Sequence, residues 1–469
     1  MGLLVRCCYD GGEPLTAVSQ KSNTMNEPRP ATSGFFSIFR AVGPAIIVAS
    51  VVVGPGSILT SSRVGVDFGY SMVWVLAVAV LLMMGMTALS ARLGVVLEGT
   101  LCEELARRGG RPLAALAGIS LFFIAACFQF GNNLGVLAAI EPFVQSADVA
   151  VAKDAGFFAK LTTWPNLLVI GLNAVIICVL LGFQNLYKPV EKMMMFLVGL
   201  MFVGFAANLI LASPSPVDIA RGLIPSLPAS EEGVDMMTRF GPLIGLFATT
   251  FSVAGAFYQS YLVRKKGWTT GNLRQGAIDS SVGIAVLGTI TLMIMLTAAS
   301  VLHGKMAGSD LKSATDVALQ LEPLFGKHAF LAKSLFCMGL FSAAFSSFMV
   351  NAMIGGSMLS DGLGFGGDMD AKGPKVGTIL ALLTGMVVAV AIKAFGFETV
   401  NLIIFAQAMV VVGFPILAGA MLWLATRPDL MGERAIPMWL KGVAGVGLLI
   451  TLGLAVRTSL SVYEKIAAL

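Results

Sequence analysis

Long apolar runs separated by short polar segments dominate the chain. A helix needs about 20 residues to cross the hydrocarbon core of a bilayer, and eleven runs of about that length follow one another. They cover residues 43–66, 70–90, 113–139, 166–183, 190–212, 241–263, 279–302, 330–357, 376–394, 400–425 and 439–456. The pattern predicts an all-α integral membrane protein with eleven spans.

Composition supports the same class. Of the 469 residues, 57% are hydrophobic and 12% are charged, about half the charged fraction of a soluble domain. The net charge of +5 needs no nucleic-acid partner, because cytoplasmic loops of membrane proteins collect lysine and arginine. The six cysteines show no CxxC pairing and there are only two histidines, so neither a disulfide framework nor a resident metal is expected.

Loop charge predicts the orientation. The polar stretch 1–36 has the composition of a disordered tail and lacks the long apolar core of a cleavable signal. Basic residues of this tail and of the loops after spans 2, 4, 6 and 10 fall on one side, which the positive-inside rule makes cytoplasmic. The N-terminus is therefore predicted to be cytoplasmic and the C-terminus outside, in a bacterial cytoplasmic (inner) membrane.

Two spans carry helix-breaking sequences at mid-membrane depth. Span 1 contains "VVVGPGSIL" (51–59) and span 6 contains "GLFATTFSVAGAFYQSYLV" (245–263). Irregular backbone is tolerated in a bilayer only where protein or a watery cavity satisfies its polar groups. Paired breaks five spans apart indicate an inverted-repeat transporter with its substrate site at the breaks. The alternative is a kinked helix in a channel or a membrane enzyme.

An ordered series of motifs resembles the Nramp (natural-resistance-associated macrophage protein) family of metal transporters. The matches are "FGYSMVWVL" (68–76), "SARLGVVLEGTLCEELARR" (90–108), "LYKPVEKMMMFLVGLMF" (186–202), "ARGLIPSLP" (220–228), "AIDSSVGIAV" (277–286), "LFCMGLFSAAFSS" (335–347) and "FAQAMVVVGFPI" (405–416). The resemblance implies a LeuT-like fold of the APC superfamily. Its inverted repeats would be residues 38–213 (spans 1–5) and 214–426 (spans 6–10), with 427–469 adding the eleventh span.

The chain departs from the family pattern at the metal site. The family's DPGN motif reads GPGS here, so Gly54 and Ser57 stand at the positions of the ligand Asp and Asn. On span 6, Thr249, Ser252 and Ala254 align with the family's Ala, Met and His. One family ligand candidate survives on span 10, Gln407. The family's acid on span 3 has no counterpart, since Gln129, Asn132 and Asn133 occupy that stretch.

Loss of charge and volume leads to the substrate hypothesis. A divalent transition ion prefers anionic, imidazole or thioether ligands, so a larger, neutral, hydroxyl-lined pocket is expected to favour a small organic zwitterion such as a betaine or an amino acid. The half-helix N-terminus would hold the carboxylate and aromatic rings the ammonium group. The alternative is a Mg²⁺-like divalent ion that keeps part of its water shell. The candidate substrate-binding set is Gly54, Pro55, Gly56, Ser57, Thr249, Thr250, Ser252, Gln407, Gln129, Asn132, Asn133, Phe128 and Phe251.

Two questions stay open at this stage. The amides on span 3 share one helix face, which usually points into the bundle, where they either bind substrate or cross-link helices. The cores of spans 1, 3 and 6 lack the family's proton-transfer acids, so no family-type proton coupling is expected, and facilitated diffusion or coupling to Na⁺ remains. No catalytic constellation is present, and we expect no enzyme activity, cofactor, nucleic acid or obligate protein partner, only a small-molecule substrate and the lipid bilayer.

Overall fold

Helices make up nearly all of the chain that can be described. The computed structural model describes residues 44–144, 162–182, 187–228, 236–308, 311, 329–395, 399–432 and 436–467. Within these ranges the chain forms α-helices, short 3₁₀ turns and connecting loops, with no strand. The predicted tail, residues 1–36, lies outside the described residues.

The α-helices are numbered here in chain order. They are α1 (Pro44–Val52), α2 (Pro55–Phe68), α3 (Val73–Val96), α4 (Leu101–Gly109), α5 (Arg111–Ile140), α6 (Trp164–Gly182), α7 (Tyr187–Ala212), α8 (Pro216–Arg221), α9 (Met236–Thr250), α10 (Val253–Lys265), α11 (Leu273–Val301), α12 (Ala329–Leu363), α13 (Lys372–Phe395), α14 (Thr399–Met409), α15 (Phe414–Ala425), α16 (Pro428–Met431) and α17 (Met438–Ala467).

The described helices account for all eleven predicted spans. Ten helical segments are long and apolar enough to cross a membrane, and α1 with α2 forms an eleventh that bends by 57°. The second break is milder, since α9 and α10 continue through Arg239–Lys265 as one span. Span 10 consists of α14 and α15, joined by the 3₁₀ turn Val410–Gly413. The all-α membrane architecture is therefore confirmed, whereas the boundaries of the two repeats stay a prediction.

Local sequence explains both breaks. Gly54 adopts an extended conformation between α1 and α2 (φ −91°, ψ 179°), and Pro55 follows at the first turn of α2. Proline suits that position because it lacks the N–H that would be unpaired there. Between α9 and α10, Ser252 is extended and its hydroxyl accepts a hydrogen bond from the N–H of Gly255 at 3.4 Å. Each second half-helix therefore restarts at a residue suited to a helix N-terminus.

Small residues allow the central helices to approach closely. Helix α12 packs along α5 and α13, while α11 packs against α2 and α3. At the crossing of α5 and α12, a Cβ on Gly362 would lie 2.9 Å from Cα of Gly118. Glycine pairs of this kind are typical of membrane helix packing, where van der Waals contact drives association.

Charged loops meet at one end of the bundle. The guanidinium group of Arg108 bonds to the carboxylate of Asp429, while Arg264 donates to the carbonyl oxygens of Leu97 and Glu98, both at 2.7 Å. Lys265 Nζ lies 2.7 Å from Asp368 Oδ1, and this hydrogen bond lowers the pKa of Asp368 below its usual value. The loops after spans 2, 6, 8 and 10 thus lie on one side, which agrees with the predicted placement of the loops after spans 2, 6 and 10. That this side is cytoplasmic stays a prediction.

Candidate functional site

The two helix breaks lie in a region that α5, α12 and α14 also reach. Gly54, in the first break, lies beside Ser347 of α12 and Asn132 of α5: a Cβ built on it would be 2.8 Å from Ser347 Oγ and 3.4 Å from Asn132 Oδ1. Pro55 packs against Gly135 of α5, where a Cβ would lie 2.3 Å from Pro55 Cβ. The first break is therefore enclosed by α5 on one side and α12 on another.

Side chains of α12 satisfy the backbone that the first break leaves open. The last carbonyl groups of a helix have no intrahelical partner, and here Ser347 Oγ donates to the carbonyl oxygen of Val51 at 2.9 Å. Ser346 Oγ lies 3.4 Å from the carbonyl oxygen of Ser50, and Asn351 Nδ2 donates to Ser347 Oγ at 2.8 Å. Sequence reasoning missed the two serines, although Ser347 and Asn351 stand four residues apart on an apolar helix, which was a usable signal.

The expected enlargement of the pocket is wrong at Gly54, where the family's larger aspartate is absent, and Gly56 beside it is equally enclosed. The space of a side chain at Gly54 is taken by Ser347, and a Cβ on Gly56 would lie 2.3 Å from Cδ of Gln407. Because neighbouring side chains fill the space that smaller residues leave, the removed volume does not become cavity here. Every residue of the predicted set is buried, including Ser57, Thr250 and Gln407 at 2% exposure or less. The structure thus shows the breaks closed to solvent.

Gln407 lies at the centre of the arrangement. Its amide side chain packs between glycines of three helices: Gly56 of α2, Gly131 of α5 and Gly245 of α9. A Cβ on Gly131 would be 3.0 Å from Gln407 Nε2, and one on Gly245 would be 3.6 Å from Gln407 Cβ. The side chain that the family resemblance singled out therefore contacts both broken spans.

Three buried side-chain oxygens near the breaks have no hydrogen-bond partner among the described residues. They are Ser57 Oγ, Thr250 Oγ1 and Gln407 Oε1. By contrast, the hydroxyl group of Thr249 donates to the carbonyl oxygen of Gly245 at 2.9 Å. A buried polar atom without a partner is costly, so these oxygens are suited to a ligand that arrives with its own charge or water.

The side chains that could bind a cation at the breaks are neutral. Neither α1, α5, α9 nor α10 contains an Asp or Glu. The described residues contain no group of three or more His, Cys, Asp or Glu side chains placed to hold a metal ion. Among the residues that the structure describes, negative charge at the breaks therefore comes from backbone and side-chain dipoles, including the carbonyl ends of α1 and α9.

The amides of α5 divide into two roles. Asn133 Nδ2 donates to the carbonyl oxygen of Gln129 at 2.8 Å, and Asn133 Oδ1 accepts from Asn173 Nδ2 of α6 at 2.7 Å. Asn133 thus cross-links α5 to α6. Asn132 Nδ2 instead donates to Gln129 Oε1 at 2.9 Å, and Asn132 is the amide that reaches Gly54. The structure favours helix linkage for Asn133 and a position at the break for Asn132.

The aromatic candidates pack within the bundle. Phe251, at the second break, lies edge-to-face against Phe247 with ring centroids 5.6 Å apart. A Cβ on Gly447 of α17 would be 2.7 Å from Cζ of Phe251, so the ring sits tightly against that helix. Phe128 of α5 is also buried, at 5% exposure. The described contacts of Phe251 join α9 to α17.

Two buried carboxylates escaped the sequence reasoning. Asp279 of α11 is fully buried and accepts from the backbone N–H of Ala45 at 2.9 Å and from Gln259 Nε2 at 3.2 Å. It thereby joins the start of α1 to α10. Asp361 of α12 accepts from the hydroxyl groups of Thr100 and Tyr261, each at 2.6 Å. Asp279 begins the seventh apolar run and Asp361 lies four residues beyond the eighth, so a carboxylate at the edge of a predicted span was the available signal for both.

Comparison with known proteins adds the family. The profile of the "Natural resistance-associated macrophage protein-like" family matches residues 45–461. The chain is 25% identical over 407 residues to the divalent metal cation transporter MntH of Klebsiella pneumoniae subsp. pneumoniae, covering 86% of this chain and 89% of that protein. It is also 25% identical over 422 residues to MntH of Chromohalobacter salexigens, covering 87% of each. Both relatives are therefore matched over nearly their whole length.

The fold has solved counterparts. A crystal structure of a manganese transporter from Eremococcus coleocola superposes with a TM-score of 0.74 at 18% identity, covering 95% of this chain and 90% of the other. This likeness confirms the LeuT-like fold that the motifs implied.

These findings correct the predicted substrate class. The prediction that the chain carries a small organic zwitterion is wrong, because its relatives are named divalent metal cation transporters and they favour the alternative. The prediction took the replacement of charged ligands by neutral ones as a sign of a different substrate. A metal ion that keeps bound water, however, needs less charge from the protein side chains. The lack of family-type proton coupling is not tested by these comparisons and stays a prediction. The chain belongs to the natural resistance-associated macrophage protein-like family and is an integral membrane transporter.

Proposed function

We propose that this protein transports a divalent metal cation that keeps part of its water shell. The observation that carries the proposal is the set of buried, unpartnered oxygens at the two breaks: Ser57 Oγ, Thr250 Oγ1 and Gln407 Oε1. The relatives named divalent metal cation transporters support the same substrate class.

Charge decides how the ion is held. Stripping a divalent ion of all its water inside a low-dielectric protein costs more than neutral amides and hydroxyls return. Mg²⁺ dehydrates reluctantly and usually keeps several waters, so hydroxyl and amide oxygens would contact its bound waters. The carbonyl ends of α1 and α9 add partial negative charge. This arrangement predicts modest affinity and weak discrimination between Mg²⁺ and Mn²⁺.

Transport requires that the site open to each side in turn. The breaks are closed in the described structure, so access depends on movement of the half-helices α1, α2, α9 and α10 against their neighbours, as broken spans permit. The protein would act in a bacterial cytoplasmic membrane with its N-terminus inside, the orientation that loop charge predicts.

A liposome assay tests the proposal directly. Purified protein reconstituted into liposomes that enclose an ion-sensitive dye should let Mg²⁺ and Mn²⁺ enter down their gradients. Each ion should compete with the other at similar concentrations. Gln407→Ala and Thr250→Ala should lower the rate about tenfold each, the cost of roughly one hydrogen bond to a charged group.

A matched control variant distinguishes a change at the ion site from a general loss of folding stability. Thr291→Ala removes a buried hydroxyl of α11 whose hydrogen bond in the described structure stays within its own helix, to the carbonyl oxygen of Leu287 at 3.1 Å, and should leave the rate unchanged. Folded wild-type protein that admits no divalent ion under any gradient would refute the proposal. So would equal rates for the wild type and Gln407→Ala.

A further inference from the structure

A second cavity, away from the helix breaks, opens between α3, α9 and α17. Its volume is about 480 Å³, within the range of ligand pockets. Nine of its eleven lining residues are apolar or aromatic, and they are accompanied by Arg457 and Ser461 of α17. A cavity with such walls does not hold ordered water, which needs polar partners.

The polar residues lie at one end of this cavity. Spans 6 and 11 cross in opposite directions, so α17 runs antiparallel to α9. Gly447 lies beside Phe251, and counting along both helices from this contact brings Ile450 near the level of Phe247 and brings Arg457 and Ser461 near that of Phe240. The same end carries Trp74, whose indole N–H donates to the carbonyl oxygen of Ser226 at 3.2 Å. Tryptophan at a helix end marks a membrane–water interface. Loop charge predicts that this interface is the outer one.

The cavity extends to about the depth of one leaflet. From Ser461 to Ile450 is eleven residues, or about 16 Å at the rise of an α-helix. Half of the roughly 30 Å hydrocarbon core is about 15 Å. A cavity that starts at the interface, ends near the bilayer midplane and has apolar walls matches an acyl chain in length and in chemistry.

The charge of Arg457 determines which lipid headgroup the cavity favours. Arg457 is exposed and forms no ion pair with any residue that the structure describes. A guanidinium group pairs well with phosphate oxygens, and a basic residue near the surface attracts anionic lipids.

We propose that the cavity binds one acyl chain of an anionic phospholipid of the predicted outer leaflet, with its phosphate on Arg457. The chain lies along Phe240, Leu243 and Phe247, on the half-helix that ends at the second break. The acyl chain contacts Phe247, whose ring packs in turn against Phe251 at the second break. The occupied cavity is thus a lipid site on the transport machinery and separate from the ion site.

Native mass spectrometry of the purified protein tests this proposal. Protein released from nanodiscs of phosphatidylglycerol and phosphatidylcholine should retain one phosphatidylglycerol in preference. In Arg457→Gln that preference should fall about fivefold, the effect of one basic residue near the surface. The control Lys441→Gln removes a cation from the other end of the same helix and should keep the wild-type preference. Leu454→Trp should fill the cavity and lower retention of both lipids.

Three outcomes would overturn the assignment. One is equal retention of both lipids by the wild type, and another is retention of neither. The third is an Arg457→Gln variant that prefers phosphatidylglycerol as strongly as the wild type and Lys441→Gln do. Lipid retention is measured without ion flux, so none of these results depends on the proposed transport function.

Discussion

Ser347 of α12 donates a hydrogen bond to the carbonyl oxygen of Val51 at 2.9 Å, and the same hydroxyl lies 2.8 Å from where a Cβ on Gly54 would be. One hydroxyl group therefore both satisfies a carbonyl oxygen that the first break leaves open and occupies space that a side chain at position 54 would need. The absence of a carboxylate at position 54 and the position of Ser347 are therefore linked, because both side chains would need the same space.

The first prediction follows from this contact. Gly54→Ala should destabilise the protein by about 1–3 kcal/mol, the usual cost of overpacking, because its Cβ would lie 2.8 Å from Ser347 Oγ. In a double-mutant cycle with Ser347→Gly, measured by thermal unfolding in detergent, the combined loss should be smaller than the sum of the single losses. Additive losses would show that the two residues do not compete for space.

The second prediction concerns charge at the centre of the site. Gln407→Glu should raise affinity for Mn²⁺ by at least about tenfold, since a carboxylate attracts a divalent ion far more strongly than an amide does. Gln407→Met, which keeps the length but removes the polar atoms, should weaken binding instead. Isothermal titration calorimetry on both variants checks the pair. An unchanged affinity in Gln407→Glu would place the ion away from α14.

The third prediction tests Asn133 as a helix link. Asn173→Ala removes the hydrogen bond to Asn133 Oδ1 and should cost about 0.6–1.7 kcal/mol, from the average to the maximum for side-chain hydrogen bonds between membrane helices. Relative uptake of Mg²⁺ and Mn²⁺ should not change. A shift in that ratio without loss of thermal stability would instead assign Asn133 to the substrate path.

The fourth prediction concerns acid stability at the charged end of the bundle. The hydrogen bond from Lys265 lowers the pKa of Asp368, so its contribution is present above the unfolded-state pKa of about 4. That contribution is lost as pH falls through the lower folded-state value. Because Asp368 is 64% exposed, the contribution should stay below about 1 kcal/mol.

Thermal unfolding between pH 6 and pH 3 measures this effect. Asp368→Asn and Lys265→Met should each flatten the same part of the stability curve, and the double variant should add little beyond either change. A wild-type curve that Asp368→Asn leaves unaltered would show that the ion pair contributes nothing measurable.

Sequence alone determined the class, the spans and the position of both breaks. Apolar runs and helix breakers such as Gly54-Pro55 act locally, through the length of a bilayer-crossing helix and the missing proline N–H, so they are readable without neighbours. The neutral character of the break segments was readable for the same reason.

Only the tertiary structure decided what surrounds those breaks. Ser347 is almost 300 residues from Gly54, and Gln407 meets Gly56, Gly131 and Gly245 only because four helices converge. The sequence pattern implied an enlarged pocket, yet a glycine leaves space only if no other helix fills it. Likewise, Asn133 became a link to α6 through Asn173, a role that depends on which face of α5 meets which neighbour. Packing between segments that are far apart in the chain decides these contacts, and a local sequence pattern holds no information about it.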